Sequence, residues 1–310
     1  MADLPTTQLG RTGLEVTRLA YGAMELRGEP RGRAVSDEQA ATMLNAVLDA
    51  GINLIDTSPD YGSSEEHIGA AIADRRDEYF LASKCGCAVG QPPAPAGERS
   101  PHIFTAENVR AGVEQSLRRM RTDYLDLVQF HASPTPAVLE EGGLDALREL
   151  QREGKVRFLG MSGTLPNLPE QIAMDAFDAF QIPYSALEPE HDASIRAAAE
   201  AGAGTIIRGG VARGAPAPDQ DPAVMAGARE EINLQRRSLW EIAELDALLD
   251  GSSRMDFLLR YTLSHPGMHT TIVGTMNPAH LASNVAAAAA GPLQPDLYAE
   301  ASRRLQEAAT

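Results

Sequence analysis

Cysteine is scarce in this chain: 310 residues contain two, Cys85 and Cys87, one residue apart. A disulfide framework needs more of them at wider spacing, so the composition predicts a reducing, cytoplasmic setting. No further Cys or His falls at ligand spacing from the pair, so no metal is expected and the two read as thiols at a strand end. Basic residues are also in deficit. Lys and Arg number 27 against 43 Asp and Glu, a formal net charge of −16. Polyanions repel a surface of that sign, so neither nucleic acid nor a membrane is expected as a partner. A small anionic cofactor stays open, because a few local cations or a helix N-terminus can hold one. No apolar run approaches ~20 residues, which excludes a spanning helix. Met1-Ala2-Asp3-Leu4-Pro5 has neither the basic nor the apolar region of a secretory signal, and none is expected.

Familiar nucleotide and hydrolase motifs are missing too. No Gly-x-Gly-x-x-Gly opens a helix after a first strand, and no Gly-Lys-Ser/Thr, Gly-x-Ser-x-Gly or His-Glu-x-x-His occurs. A two-domain dinucleotide-binding dehydrogenase loses its main support. What the chain does have is 43% hydrophobic and 23% charged residues, a globular balance. Eight short apolar runs suit strands buried on both faces: 17–22, 53–56, 79–84, 124–131, 156–160, 179–182, 205–207 and 271–274. Helical patterns lie between them. Ser36 and Gln39 form a capping box ahead of one, and Gly51 stands where a C-terminal glycine belongs. Thr105 caps another whose Val109, Val113, Leu117 and Met120 share a face. Helices are also expected over 144–153, 194–201 and from Asn277-Pro278 onward. This alternation predicts a single (β/α)₈ TIM barrel over 1–310, with an open doubly wound sheet as the runner-up. Residues 7–16 read as a small hairpin with Gly13 in its turn, placed to plug the N-terminal end of the barrel. Two irregular segments, 85–104 and 214–227, follow strands and so fall on the opposite, catalytic face.

The strand ends carry polar side chains. The second run ends at Asp56 and leads through Ser58-Pro59-Asp60 to Tyr61; the third ends in Lys84 and the fourth in His131. Each alone reads as an ordinary turn, surface or capping residue. Together they are hard to explain by packing, because an unpaired buried charge costs several kcal/mol. In a barrel the C-terminal strand ends converge, so the four are expected to face one another.

The string Gly51-Ile52-Asn53-Leu54-Ile55-Asp56-Thr57-Ser58-Pro59-Asp60-Tyr61-Gly62, followed by Glu65-Glu66 and Gly69, resembles the signature of the aldo-keto reductase family. Leu9–Val16, Ala82-Ser83-Lys84, Leu127–His131 and Gly160-Met161-Ser162-Gly163 match it in order and spacing, and the likeness runs from about Leu9 to Asn284. The resemblance implies a (β/α)₈ barrel that transfers hydride between NAD(P)H and a carbonyl or alcohol substrate. It implies a catalytic tetrad of Asp56, Tyr61, Lys84 and His131. Tyr61 would protonate the developing alkoxide. A free tyrosine titrates near ~10, so Lys84 beside it would stabilise the tyrosinate, Asp56 would hold Lys84, and His131 would orient the carbonyl oxygen.

For the cofactor, the resemblance places Ser162 and Gln181 on the nicotinamide carboxamide. Gly163 stands where the family often has Asn, so that contact is absent or passes to the backbone. Arg208 stands where an aromatic usually stacks on the nicotinamide. It either stacks through its guanidinium or turns to a phosphate or an acidic neighbour. Gly209 and Gly210 allow close backbone approach; Val211 and Arg213 continue that segment, with Arg213 a candidate for the pyrophosphate. Gly22, Ala23 and Met24, after the first strand, join the cofactor set. Gly274, Thr275, Met276, His280 and Asn284 match the adenosine-phosphate segment, but Gly274 and His280 stand where NADPH-preferring members carry Lys or Arg. NADP is the expected cofactor, with NAD the alternative. Alternative activities are an NAD-dependent sugar or polyol dehydrogenase and a cofactor-binding regulatory barrel. Tyr61, Met24, Trp240 and parts of 85–104 and 214–240 are candidates for the substrate pocket, and Trp240 reads equally well as packing.

Overall fold

A computed structural model describes residues 3–91, 98, 100–214 and 230–309. Most of segment 214–227 lies outside the described residues, as do 92–97 and 99 of the other irregular segment. The chain opens with an antiparallel pair, β1 (Thr6–Gln8) and β2 (Glu15–Thr17). Eight parallel strands then close into a barrel: β3 (Leu19–Gly22), β4 (Leu54–Asp56), β5 (Phe80–Cys85), β6 (Leu125–Phe130), β7 (Val156–Ser162), β8 (Ala179–Pro183), β9 (Gly204–Arg208) and β10 (Thr270–Val273). Neighbours follow chain order, and β10 pairs with β3 to shut the ring, Val273 opposite Tyr21. All eight runs read from the sequence are strands of this ring, so the closed barrel replaces the open sheet.

Helix ends follow the local chemistry. Ser36 Oγ accepts from Gln39 N at 3.2 Å and Gln39 Oε1 accepts from Ser36 N at 3.0 Å, opening the helix Asp37–Asp49. Thr105 Oγ1 accepts from Asn108 N at the start of Ala106–Met120, which buries Val109, Val113, Leu117 and Met120. The helix expected from 194 begins at Asp192, because that carboxylate suits a helix N-terminus and also meets Arg196 and His265.

Strand alternation sorts the barrel interior into two layers. Ala20, Leu54, Ala82, Leu127, Ala179 and Ile206 form an apolar layer, with Phe80, Phe158 and Ile272 packed against it. Leu9, Leu14 and Val16 of the hairpin seal that layer from below. The seal is close: Gly10 holds φ +50°, and a Cβ there would lie 2.2 Å from Gly204 N. Two residues further along the strands the same inward parity reaches Gly22, Asp56, Lys84, Gln129, Gln181 and Arg208. The outward residues, among them Ile55, Leu81, Val128, Phe130, Leu159 and Ile207, belong to the main hydrophobic core.

Candidate active site

The polar layer sits at the C-terminal mouth. Its centre is an ion pair taken fully out of water: Lys84 Nζ lies 2.7 and 2.9 Å from the two Asp56 carboxylate oxygens and donates to Thr57 O at 2.8 Å. Burial works against the Lys84 charge, but Asp56, Tyr61 and Cys87 outweigh it and hold its pKa above the ordinary lysine value. Asp56 Oδ1 also accepts from Gln129 Nε2 at 2.9 Å and Gln181 Nε2 at 2.8 Å. A buried ion pair is worth keeping only when its remaining lone pairs are satisfied, and these two amides do that.

Gln129 was not singled out from the sequence. Its signal was there: it lies two residues before His131 and therefore on the inward face of β6. The barrel makes room for it at Gly160, where a Cβ would lie 2.9 Å from Gln129 Cγ.

Tyr61 is carried by the turn after β4, its N–H bonded to Ser58 O at 3.0 Å. Its ring lies 5.3 Å from Lys84 Nζ and 6.3 Å, edge-on, from His131. Burial pushes the His131 imidazole well below the ordinary histidine value, and Lys84, His102, Arg208 and Arg31 push it the same way. His131 is therefore neutral at neutral pH. The barrel thus brings Asp56, Tyr61, Lys84 and His131 together, from β4, β5, β6 and the turn between them.

The candidate cofactor residues occupy the other arc of the same mouth, on β7, β8, β9, β10 and β3 in ring order. Ser162 Oγ donates to Gln181 Oε1 at 3.4 Å. Gly163 N–H already donates to Gln181 O at 3.1 Å, so it is not a free backbone donor. A Cβ at Gly163 would lie 2.5 Å from Leu168 Cδ1 and 2.8 Å from Gln171 Oε1. Gln171 fills the space that a family Asn would need, and it is fixed by donating to Pro134 O at 2.6 Å.

Arg208 ends β9 and faces inward. Burial lowers its pKa, opposed by Tyr61, Glu188 and Asp56, and its Nε makes no hydrogen bond among the described residues. Gly209 (φ +78°), Gly210, Val211 and Arg213 follow it. Gly210 has no room for a side chain, since its Cβ would lie 2.7 Å from Thr271 Oγ1. Beyond β10, a Cβ at Gly274 would lie 2.5 Å from Gly22 O. Backbone against backbone excludes the Lys or Arg of NADPH-preferring relatives. Gly22 leads into Ala23 and Met24, the first buried and the second half-buried. Thr275 Oγ1 accepts from Asn277 N at 3.0 Å; the helix Pro278–Ala289 then presents His280 exposed and Asn284 half-buried. Trp240 is wholly buried, packed edge-on against Phe257 and donating to Asp246 Oδ1 at 3.0 Å, which is the packing reading of that residue.

Two buried atoms at the mouth, Gln129 Oε1 and Arg208 Nε, find no hydrogen-bond partner among the described residues. Orphaned polar atoms of this kind fit a polar group arriving from outside. The mouth therefore suits a nicotinamide dinucleotide.

A closed barrel with a polar mouth of this kind frames the family that the chain matches, a family of nicotinamide-dependent oxidoreductases of carbonyl compounds. The Aldo/keto reductase family model matches residues 18–303, and the chain belongs to that family. It is similar to the aldo-keto reductase AKR11C1 of Bacillus halodurans in its holo form, with a TM-score of 0.80, 26% identity, and 99% of this chain and 96% of that chain covered. It is 28% identical over 301 residues to the Aldo-keto reductase YhdN of Bacillus subtilis, covering 89% of this chain and 86% of the relative. It is 35% identical over 176 residues to the L-galactose dehydrogenase of Arabidopsis thaliana, a match spanning 53% of this chain and 50% of that enzyme. Among the described residues no helix is long and apolar enough to cross a membrane.

Proposed function

We propose that the chain reduces aldehydes or ketones to alcohols in the cytoplasm, with Tyr61 as proton donor. The observation that carries this reading is the buried Lys84–Asp56 pair beneath the Tyr61 ring, with His131 across the same opening. A bound nicotinamide cofactor supplies the hydride. When a carbonyl carbon is reduced, negative charge develops on its oxygen. Neutral His131 orients that oxygen by hydrogen bonding, and the Tyr61 hydroxyl delivers the proton. Lys84, fixed as a cation by Asp56, stabilises the tyrosinate left behind. Preorganised charge of this kind needs no reorganisation during the reaction.

Ser162 and Gln181 hold the carboxamide end of the cofactor, and the segment 274–284 meets its adenosine end. The sequence favours NADP. The close approach of Gly274 to Gly22 O supports NAD instead, because position 274 has no room for a cationic side chain. The same residues run in reverse oxidise a sugar or polyol, a second reading favoured by the likeness to L-galactose dehydrogenase. Purified protein mixed with NADH or NADPH and a panel of aldehydes, ketones and sugars tests both readings through the change in nicotinamide absorbance. Turnover with aldehydes supports the first reading, and oxidation confined to sugars supports the second. No turnover in either direction refutes both.

A further inference from the structure

Cys87 and His102 take no part in the proposed reaction, and both lie against His131, which does. The irregular segment after β5 folds back on itself: Cys87 and His102 form an isolated antiparallel bridge, with Ile103 N donating to Gly86 O at 2.7 Å. This return places His102 edge-on to His131, ring centroids 4.9 Å apart. Cys87 Sγ is 3.4 Å from His131 Nδ1 and 3.9 Å from His102 Nε2. One ligand atom from each of the three lies within 4.8 Å of the other two. A tetrahedral zinc ion, with Zn–S about 2.3 Å and Zn–N about 2.0 Å, sets its S···N spacing near about 3.5 Å. The cluster is already at that spacing on one edge and within a few tenths of an ångström on another.

We propose that Cys87, His102 and His131 form a binding site for a borderline-soft divalent cation of the zinc class, and that the bound ion switches the enzyme off. Sulfur with two imidazoles is a donor set that selects Zn²⁺ over Mg²⁺ or Ca²⁺. Three protein ligands leave a fourth position open to solvent or a small molecule. A neutral imidazole has one ring nitrogen lone pair to give, and in both histidines a ring nitrogen faces Cys87 Sγ. A coordinated cation deprotonates a thiol outright. On binding, one S–H bond breaks, one S–metal bond forms, and the proton leaves to solvent. Zinc with one thiolate carries a net single positive charge. Lys84, Arg208 and Arg31 act against a cation at this end, while Asp60 acts on both Cys87 and His102 in its favour.

The inhibitory consequence rests on the role given to His131 under the proposed function. An imidazole committed to a metal no longer orients a carbonyl. The binding itself is independent of that role, so it is measured directly. Chelator-treated protein is titrated with Zn²⁺ against a chromophoric chelator, and separately with Co²⁺ while absorbance is recorded. The wild type is expected to take up one Zn²⁺ per chain and to show a thiolate-to-cobalt charge-transfer band. Cys87→Ser should abolish that band. Cys87→Ser and His102→Ala should each weaken Zn²⁺ binding by more than the roughly 10-fold that losing an outer-sphere partner costs. Wild-type affinity in both variants, or no cobalt–thiolate band in the wild type, overturns the site. Zn²⁺ should inhibit wild-type carbonyl reduction at concentrations that spare the two variants. Metal-bound protein with full turnover, or with raised turnover, overturns the inhibitory role. Uptake by a protein that turns over nothing counts against the proposed function and leaves the site standing.

Discussion

Lys84→Met offers the sharpest test of how the mouth is held together. The Lys84 side chain is wholly buried and Asp56 is 1% exposed, so neither charge has recourse to water. Methionine is unbranched and one atom shorter, so it fills most of the same space without the charge. What it removes is the ion pair and the bond to Thr57 O. Breaking a buried pair by deleting one partner costs ~3–5 kcal/mol. Asp56 keeps the Gln129 and Gln181 amides at 2.9 and 2.8 Å, which places the expected loss at the lower end, about 3 kcal/mol. Asp56→Asn leaves the Lys84 ammonium facing one carbonyl and an amide oxygen, with a similar loss of about 3 kcal/mol. The double variant contains no buried charge at either position. It should lose no more than either single variant, a coupling of about 3 kcal/mol against the summed singles. Reversible urea unfolding followed by circular dichroism measures all three. Losses that add to within ~0.5 kcal/mol would mean that the two residues do not act as a pair, and the account of the site would fail. This readout needs no substrate.

Other expectations follow from the same geometry. Tyr61→Phe should lower kcat by ~10²–10⁴, the usual contribution of a positioned proton donor, with dinucleotide binding unchanged by fluorescence titration; undiminished turnover removes Tyr61 from the role. Arg208→Tyr takes a cation away from the nicotinamide end, so binding of the oxidised cofactor should tighten several-fold relative to the reduced one; an unchanged ratio of the two Kd values refutes that placement. His131 has its folded pKa below the unfolded value of ~6.5, so its contribution to stability is complete above ~6.5 and is lost as pH falls toward the depressed value. The unfolding free energy of His131→Asn should therefore decline less steeply below about pH 6.5 than that of the wild type, and parallel slopes would contradict the assignment. Gly10→Ala forces a Cβ into the backbone of Gly204 and should destabilise the fold by ~1–3 kcal/mol, seen in urea, while kcat stays unchanged at the far end of the barrel.

The barrel was legible because its signals are local. Eight short apolar runs need only period and length to be recognised, and Asp56, Lys84 and His131 end three successive ones. What was not legible depended on chain segments meeting across the fold. His102 lies in the irregular segment 85–104, and nothing in its spacing from Cys87 or His131 shows that the segment returns to the mouth. The consequence of Gly163 required knowing that Gln171, from a following helix, occupies the space above it. Likewise Gly274 reads only as a missing cation until the barrel closes and Gly22 O is found against it.

The seam between β10 and β3 has a consequence for how the chain is made. Tyr21 meets Val273 across it, and the Tyr21 hydroxyl reaches Thr275 O at 2.8 Å, joining residues separated by nearly the whole chain. A nascent polypeptide cannot complete that pairing until its last strand has left the ribosome. Until then β3 and β9 are bare edges, open to wrong partners. Closure is a late event with a large loop to shut, which predicts slow folding and dependence on protection during synthesis. The Gly22–Gly274 contact and the juxtaposition of β9, β10 and β3 arise only at that step. A chain stalled before it can hold the Lys84–Asp56 side of the mouth while the opposite wall is still absent.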